Sequence, residues 1–333
     1  MSPADTASLL FDLLQRKPDS GLEAHRNALA QAITLVESTR SADQLAAEDL
    51  IDRCLATGSQ SLRVGITGVP GVGKSTLIDA LGMEWVNAGH RLAVLAIDPS
   101  SARGKGSILA DKTRMDRLAA HPAVFIRPTA ASGALGGVAR HTREAMILCE
   151  TAGYGRIIVE TVGVGQNEIA VDKLVDITVL LMLAGAGDEL QGIKRGIMEA
   201  ADIIAITKAD GDNLGRSEQA RLDLRGAIAM LPPREGGRRA EVMMCSALEQ
   251  QGIDRLALQI QTLADEDRRS DRHNTRRRAQ DLACMHEMIE QALLERFRSD
   301  PRISSLLPQM EASVRQGSLS PFKAVAQLVA LIG

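Results

Sequence analysis

The sequence predicts an α/β fold with a mostly parallel sheet covered by helices, preceded by a helical amino-terminal extension and followed by a helical carboxy-terminal segment. Three observations lead there. From Arg63 onward, short β-branched runs alternate with helical stretches, the rhythm of a parallel sheet with crossover helices. A glycine-rich turn separates the first such run from an amphipathic stretch. At both ends of the chain the apolar residues recur at helical spacing instead.

Taken in order, residues 1–60 read as the helical extension, with Leu29, Ile33 and Val36 on one face. Residues 61–265 form the central domain. Its strands are expected at 63–67, 92–97, 124–127, 156–160, 177–183, 202–207 and 242–245, each a short apolar run rich in Val and Ile. The tail, 266–333, divides into helices at 276–298, 303–316 and 321–331, with Pro301, Pro308 and Pro321 as boundaries.

Composition narrows the function classes. The 333 residues are 45% hydrophobic, enough for one large core. They include only one Trp, one Tyr and four Phe, which argues against a base-stacking nucleic-acid surface. The formal net charge of -3 exerts no general pull toward phosphate backbones or anionic lipid. Cys54, Cys149, Cys245 and Cys284 form no C-x-x-C pair, which favours a reducing cytoplasm over a disulfide framework. The amino terminus breaks Leu9, Leu10 and Phe11 with Asp12 and reads as no secretion signal. No run approaches the roughly 18 apolar residues that span a bilayer.

The strongest motif is GVPGVGKS at 68–75, which fits G-x-x-x-x-G-K-[ST] between a strand and a helix. This makes the central domain a P-loop NTPase. Gly68, Gly71 and Gly73 let the backbone of Val69, Pro70 and Val72 curl with its amides inward. Lys74 is positioned for the β and γ phosphates, Ser75 for Mg²⁺, and Thr76 continues the cradle. Far downstream, Thr207, Lys208 and Asp210 follow one strand, and Ser246, Ala247 and Leu248 follow another. A carboxylate at Asp210 accepts from both the ring N–H and the exocyclic amine of guanine, a pair that adenine lacks. The expected ligand is therefore GTP or GDP. Thr207 stands where this motif usually begins with Asn, which should slightly weaken the tie between base loop and phosphate loop.

Asp98, Asp111 and Glu160 are candidate metal-site carboxylates suited to a hard, octahedral cation, although each also fits a cap or turn. Asp98 is a candidate for orienting the attacking water. The segment 185–196 carries Asp188, Glu189, Gln191 and Lys194 in a Gly-rich turn that enters a helix. It reads either as an ordinary helix start or as a switch whose Lys194 approaches the γ phosphate. Arg103 and Lys105 compete for that role. The six histidines form no metal-binding pattern. The arginines at 268, 269, 272, 276, 277 and 278, interleaved with acids, read as a solvated helix start.

The phosphate motif together with DPSS at 98–101, GSILADKTRM at 106–115, SGALGGV at 132–138, ETVGVGQ at 160–166 and GAGDELQGIK at 185–194 closely resembles the MeaB-type GTPases. These are chaperones of adenosylcobalamin-dependent acyl-CoA mutases. The resemblance runs from about residue 30 into the tail. It implies a cytoplasmic homodimer that uses GTP to gate adenosylcobalamin delivery to a partner mutase, for methylmalonyl-CoA or a related branched or hydroxylated acyl-CoA, and to protect or reactivate that enzyme. The cobalamin itself belongs to the mutase. The resemblance further implies that Asp98, Asp111 and Glu160 serve the metal, that 185–194 senses the mutase, and that the tail is a dimerisation arm. Neither nucleic acid nor membrane is an expected partner. Rival readings are a nickel-insertion GTPase, which would want a His-rich tract, and a small-molecule kinase of amino-acid transport, which would need an acceptor site.

Overall fold

The computed structural model describes residues 3–16, 22–58, 60–98, 115–130, 135–161, 171–185, 195–234 and 237–331. Within them lies a seven-stranded, wholly parallel sheet in the order β3-β2-β4-β1-β5-β6-β7. The strands are β1 (Leu62–Gly68), β2 (Leu92–Asp98), β3 (Val124–Ala130), β4 (Arg156–Thr161), β5 (Ile177–Leu183), β6 (Ile203–Thr207) and β7 (Glu241–Met244). All seven expected strands are present, β5 with the bounds expected and the others within three residues of theirs. The longest extension is in β3, which continues through Pro128 to Ala130. Pro128 lacks an N–H, but β3 lies at the sheet edge, where that donor has no partner strand to miss.

Alternation along each strand divides the core into two faces. Leu92, Val94, Ile158 and Leu181 point to the side covered by α4 (Lys74–Asn87), α5 (Asp116–Ala120) and α9 (Ile253–Arg269). Ala93, Leu95, Ile157 and Val159 face α6 (Leu135–Thr151) and the amino-terminal helices α1 (Pro3–Gln15), α2 (Leu22–Val36) and α3 (Ser41–Ala56). Leu29, Ile33 and Val36 are buried in that second layer, so the helical stripe read at residues 29–36 faces the core. Toward the β7 edge, Leu180, Ile204 and Ile206 pack with Leu224 and Ile228 of α8 (Leu214–Met230) and with Ile197 of α7 (Arg195–Ala200).

The chain divides into two compact units, Met1–Gln280 and Asp281–Gly333. The tail helices are α10 (Arg272–Ser299), α11 (Pro301–Arg315) and α12 (Pro321–Val329). Pro301 and Pro321 occupy the first helical turn behind the capping side chains of Asp300 and Ser320, where a missing N–H has no cost. Pro308 is not a boundary: it lies inside α11. The helix continues on both sides of it and gives up a single backbone bond there.

Of the arginines read as a solvated helix start, Arg268, Arg269 and Arg278 are exposed, but Arg276 and Arg277 are not a solvated face. Three carboxylates flank the amino ends of β5 and β6. Asp176 accepts the Arg63 backbone N–H at 2.9 Å, Asp202 accepts the Thr178 N–H at 2.9 Å, and Asp172 accepts the Thr178 hydroxyl at 2.8 Å. Arg277 meets Asp176 through two bonds of 2.9 Å, and Arg276 meets Asp172 at 2.6 Å. Gln280 adds a bond to the Val175 carbonyl. Burial by itself would raise the Asp176 carboxyl, but the Arg277 guanidinium and the Arg63 N–H outweigh it and hold that group below its ordinary value.

Arg277→Ala should therefore destabilise the fold by about 3–5 kcal/mol at pH 7, since it strands a buried charge. The Asp176 contribution is complete above about pH 4, the unfolded value, and is lost as the pH falls through the depressed folded value. Urea unfolding of wild type and variant should give stabilities that converge as the pH falls through that depressed folded value. A constant gap would reject this linkage.

Candidate functional site

Strand β1 ends at Gly68 with φ +148°, where a Cβ would stand 2.7 Å from the Leu181 carbonyl oxygen of β5. Only glycine fits there. Gly71 and Gly73 also have positive φ, and Gly73 is the left-handed residue from which α4 starts. Lys74 begins the helix with its side chain inside the curve: its Nζ donates to the Gly68 carbonyl at 2.8 Å and to the Val69 carbonyl at 3.1 Å. Val72 is buried in the core below. A helix amino terminus, its unpaired backbone donors and a fixed ammonium together form a site for anionic oxygen.

The second loop folds onto the first. The Thr207 hydroxyl, at the end of β6, donates to the Val72 carbonyl at 2.6 Å, so the threonine does tie the base loop to the phosphate loop. Lys208 has φ +54° and sends its Nζ to the Gly71 carbonyl at 2.9 Å. A left-handed backbone at a lysine is strained. Asn213 supports it by donating to the Lys208 carbonyl at 2.7 Å. The Ser246 hydroxyl, fully buried, donates to the Asp210 carboxylate and fixes its orientation, while accepting the Glu249 N–H at 3.1 Å. Ala247 packs against the core, and Leu248 is 83% exposed.

Ser75 donates to Glu160 Oε1 at 3.2 Å. Glu160 lies near the end of β4, only 5% exposed and in register with Ile66 of β1. One residue on, the Thr161 hydroxyl donates to Thr67, closing a second tie between these strands. A serine hydroxyl and a carboxylate beside the phosphate loop are hard oxygen donors of the kind Mg²⁺ takes, with water and phosphate completing the shell. Among the described residues no cluster of three His, Cys, Asp or Glu side chains is assembled, so a metal here would depend on phosphate and water as well. Asp98 closes β2, in register with Ala130. Its side chain, and Arg103, Lys105, Asp111, Asp188, Glu189, Gln191 and Lys194, lie outside the described residues.

The structure thus brings Gly68 to Thr76, Glu160, Thr207, Lys208, Asp210 and Ser246 to one edge of the sheet. Three residues were not legible in the sequence as parts of this site. Asn213 gave no signal beyond an ordinary Gly-Asp-Asn turn, and the Thr67–Thr161 pair depends on register alone.

With this geometry established, three comparisons bear on the chain. The family model described as methylmalonyl Co-A mutase-associated GTPase MeaB matches residues 29–302. A putative GTPase of Caulobacter vibrioides is 46% identical over 308 residues, covering 92% of this chain and 94% of that protein. The GTPase ArgK of Escherichia coli is 42% identical, covering 92% of each. The mitochondrial methylmalonic aciduria type A homolog of Mus musculus is 41% identical, covering 92% of this chain and 77% of its own. The crystal structure of a protein named LAO/AO transport system kinase superposes with a TM-score of 0.74 at 34% identity over 98% of both chains.

Thr207→Val keeps the shape and removes the hydroxyl that satisfies the Val72 carbonyl. It should cost about 1–3 kcal/mol in stability and loosen the phosphate loop. Chemical denaturation, together with amide exchange at residues 69–73, checks this. Unchanged exchange would mean the bond does not hold the loop.

Proposed function

The chain belongs to the MeaB family of methylmalonyl-CoA mutase-associated GTPases, and on that footing we propose that its GTP hydrolysis gates adenosylcobalamin delivery to an acyl-CoA mutase and protects or reactivates that enzyme. The observation that carries the nucleotide half of this reading is the clasp of Thr207 and Lys208 on the phosphate loop. It ties the loop that leads to Asp210 onto the loop we read as the triphosphate cradle. The chaperone half draws on the family and on the mitochondrial relatives tied by name to methylmalonic aciduria.

In this reading Lys74 and the first amides of α4 hold the β and γ phosphates, and Asp210, steadied by Ser246, accepts the two guanine N–H donors. A site built on that pair rejects adenine strongly, because its carboxylate would be left unpaired. Ser75 and Glu160 would hold Mg²⁺, with Asp98 and Asp111 as the expected further carboxylates. When bound, the metal neutralises charge on the phosphoryl oxygens. Asp98 orients the attacking water, and water accepts the phosphoryl group, giving GDP and phosphate. The segment around Lys194, with Arg103 and Lys105, is the switch that the mutase reorders. Turnover alone is slow, on the order of 10⁻⁴ to 10⁻² s⁻¹, as in GTPases without an inserted cation.

The active form in this proposal is a homodimer joined through the tail. The support is α10, which exposes Leu282, Met285, Ile289 and Leu293 at helical spacing. A second reading, transfer of phosphate to a small acceptor, is raised by the solved relative named as a transport system kinase.

Lys74→Ala should abolish productive triphosphate binding, and Asp210→Ala should erase the preference for GTP over ATP in a competition assay. An Asp210 variant that kept full selectivity would remove the base assignment. Phosphate release should accelerate when the mutase is added. Equal rates with and without it would discard activation, and label appearing on a small acceptor would favour the kinase. Leu293→Asp should turn a dimeric sedimentation profile into a monomeric one.

A further inference from the structure

In the guanine reading, the loop that follows β6 has to present the Asp210 carboxylate at a set angle. Its first residue, Lys208, is left-handed at φ +54°, a conformation that a lysine keeps where its neighbours hold it. The Gly71 carbonyl holds its side chain, and Asn213 Nδ2 holds its own carbonyl at 2.7 Å. The Asn213 backbone N–H donates in turn to the Asp210 carbonyl at 2.9 Å, and the N–H of Ala209, between the two, donates to the Cys245 carbonyl at 3.2 Å. Asn213 therefore grips the chain at Lys208 and again at Asp210, on both sides of the peptide that leads into the carboxylate.

Asn213 is also the residue from which α8 starts. An asparagine there ordinarily turns its side chain forward to accept an N–H of its own helix. Among the described residues it makes no such cap bond. The amide reaches back to Lys208 instead, and since a carbonyl only accepts, Nδ2 is the donor. This bond is solvent-exposed, so water replaces it at little cost in stability. A side chain that forgoes its helix cap for such a bond serves the shape of the loop. Ser246 engages the carboxylate at Oδ2 and sets its rotation. The Asp210 backbone, extended at φ −138° and ψ 166°, sets the direction from which the group arrives. Accepting two N–H donors side by side requires both.

We propose that Asn213 is a positioning residue for base specificity: by holding the Lys208 and Asp210 carbonyls, it aims the Asp210 carboxylate so that both guanine donors are bonded, the exocyclic amine as well as the ring N–H. This rests on the guanine reading of Asp210.

The test compares the affinities of the full chain for GDP and for inosine diphosphate, which keeps the ring N–H and lacks the exocyclic amine. Wild type should prefer GDP by about tenfold or more, the scale of one hydrogen bond to a charged group. Asn213→Ala should shrink that ratio by about threefold or more, through weaker GDP binding and nearly unchanged binding of the inosine nucleotide. Asn213→Asp is as good a helix cap but cannot donate to the Lys208 carbonyl. It should melt at or above the wild-type temperature while the ratio still shrinks, and it carries the test if Asn213→Ala fails to fold. Asn213→Gln keeps the amide donor on a longer stem and should recover part of the ratio. A wild-type ratio in both the Ala and Asp variants, or equal weakening of the two nucleotides, would make Asn213 a simple brace and overturn the proposal. If wild type itself binds GDP no more tightly than inosine diphosphate, the guanine reading of Asp210 fails, and the proposal with it.

Discussion

Because every strand is parallel and β1 lies between β4 and β5, loops far apart in the chain leave the sheet at one edge. Register then decides which residues meet. Gly68 pairs with Leu181, Leu183 pairs with Thr207, and Ile66 pairs with Glu160. Neighbouring strands are about 4.8 Å apart, so Thr207 starts two strands away from Gly68. The phosphate loop has to lean over β5 to be met. It does so because Gly68 can turn against the Leu181 carbonyl where no Cβ would pass. Thr207 and Lys208 then hold the far side of the loop through the Val72 and Gly71 carbonyls. The phosphate loop and the loop that follows β6 are thereby mechanically one unit.

The opposite edge of the sheet has a different task. There Asp176 and Asp202 accept the amides that would otherwise end the ladder unpaired, and the arginines of α10 answer their charge. Buried ion pairs are weak sources of net stability, because desolvation offsets much of the attraction. Their geometry is demanding, however, and it admits one placement of the first turns of α10. The network therefore serves position more than energy. Chemistry and anchorage are segregated to the two ends of the same strands.

Helix α4 connects these themes within the site. Its first turn holds Lys74 and Ser75, and its second holds Asp79. Leu77, Ile78 and Leu81 pack into the sheet. The helix is thus fixed by apolar burial on one side and by specific polar contacts at its amino end.

Much of this was legible in the residues themselves. The strands were found because buried parallel strands are continuous Val and Ile runs, and the phosphate loop because glycine, lysine and serine at fixed spacing answer local demands of backbone and charge. Pro308 misled, since the helical run on both sides of it outweighs the lost backbone bond and the crowding of its ring against the preceding turn. Arg276 and Arg277 misled because their partners, Asp172 and Asp176, lie about a hundred residues earlier. The sequence alone determined the fold class, the phosphate cradle and the types of group available to a guanine nucleotide, all consequences of short-range pattern. Only the tertiary structure decided that Ser246 steadies Asp210, that Ser75 meets Glu160 and that Asp79 grips Leu118. Those pairings follow from strand order and register, which are set by how whole faces bury together and leave no trace in local spacing.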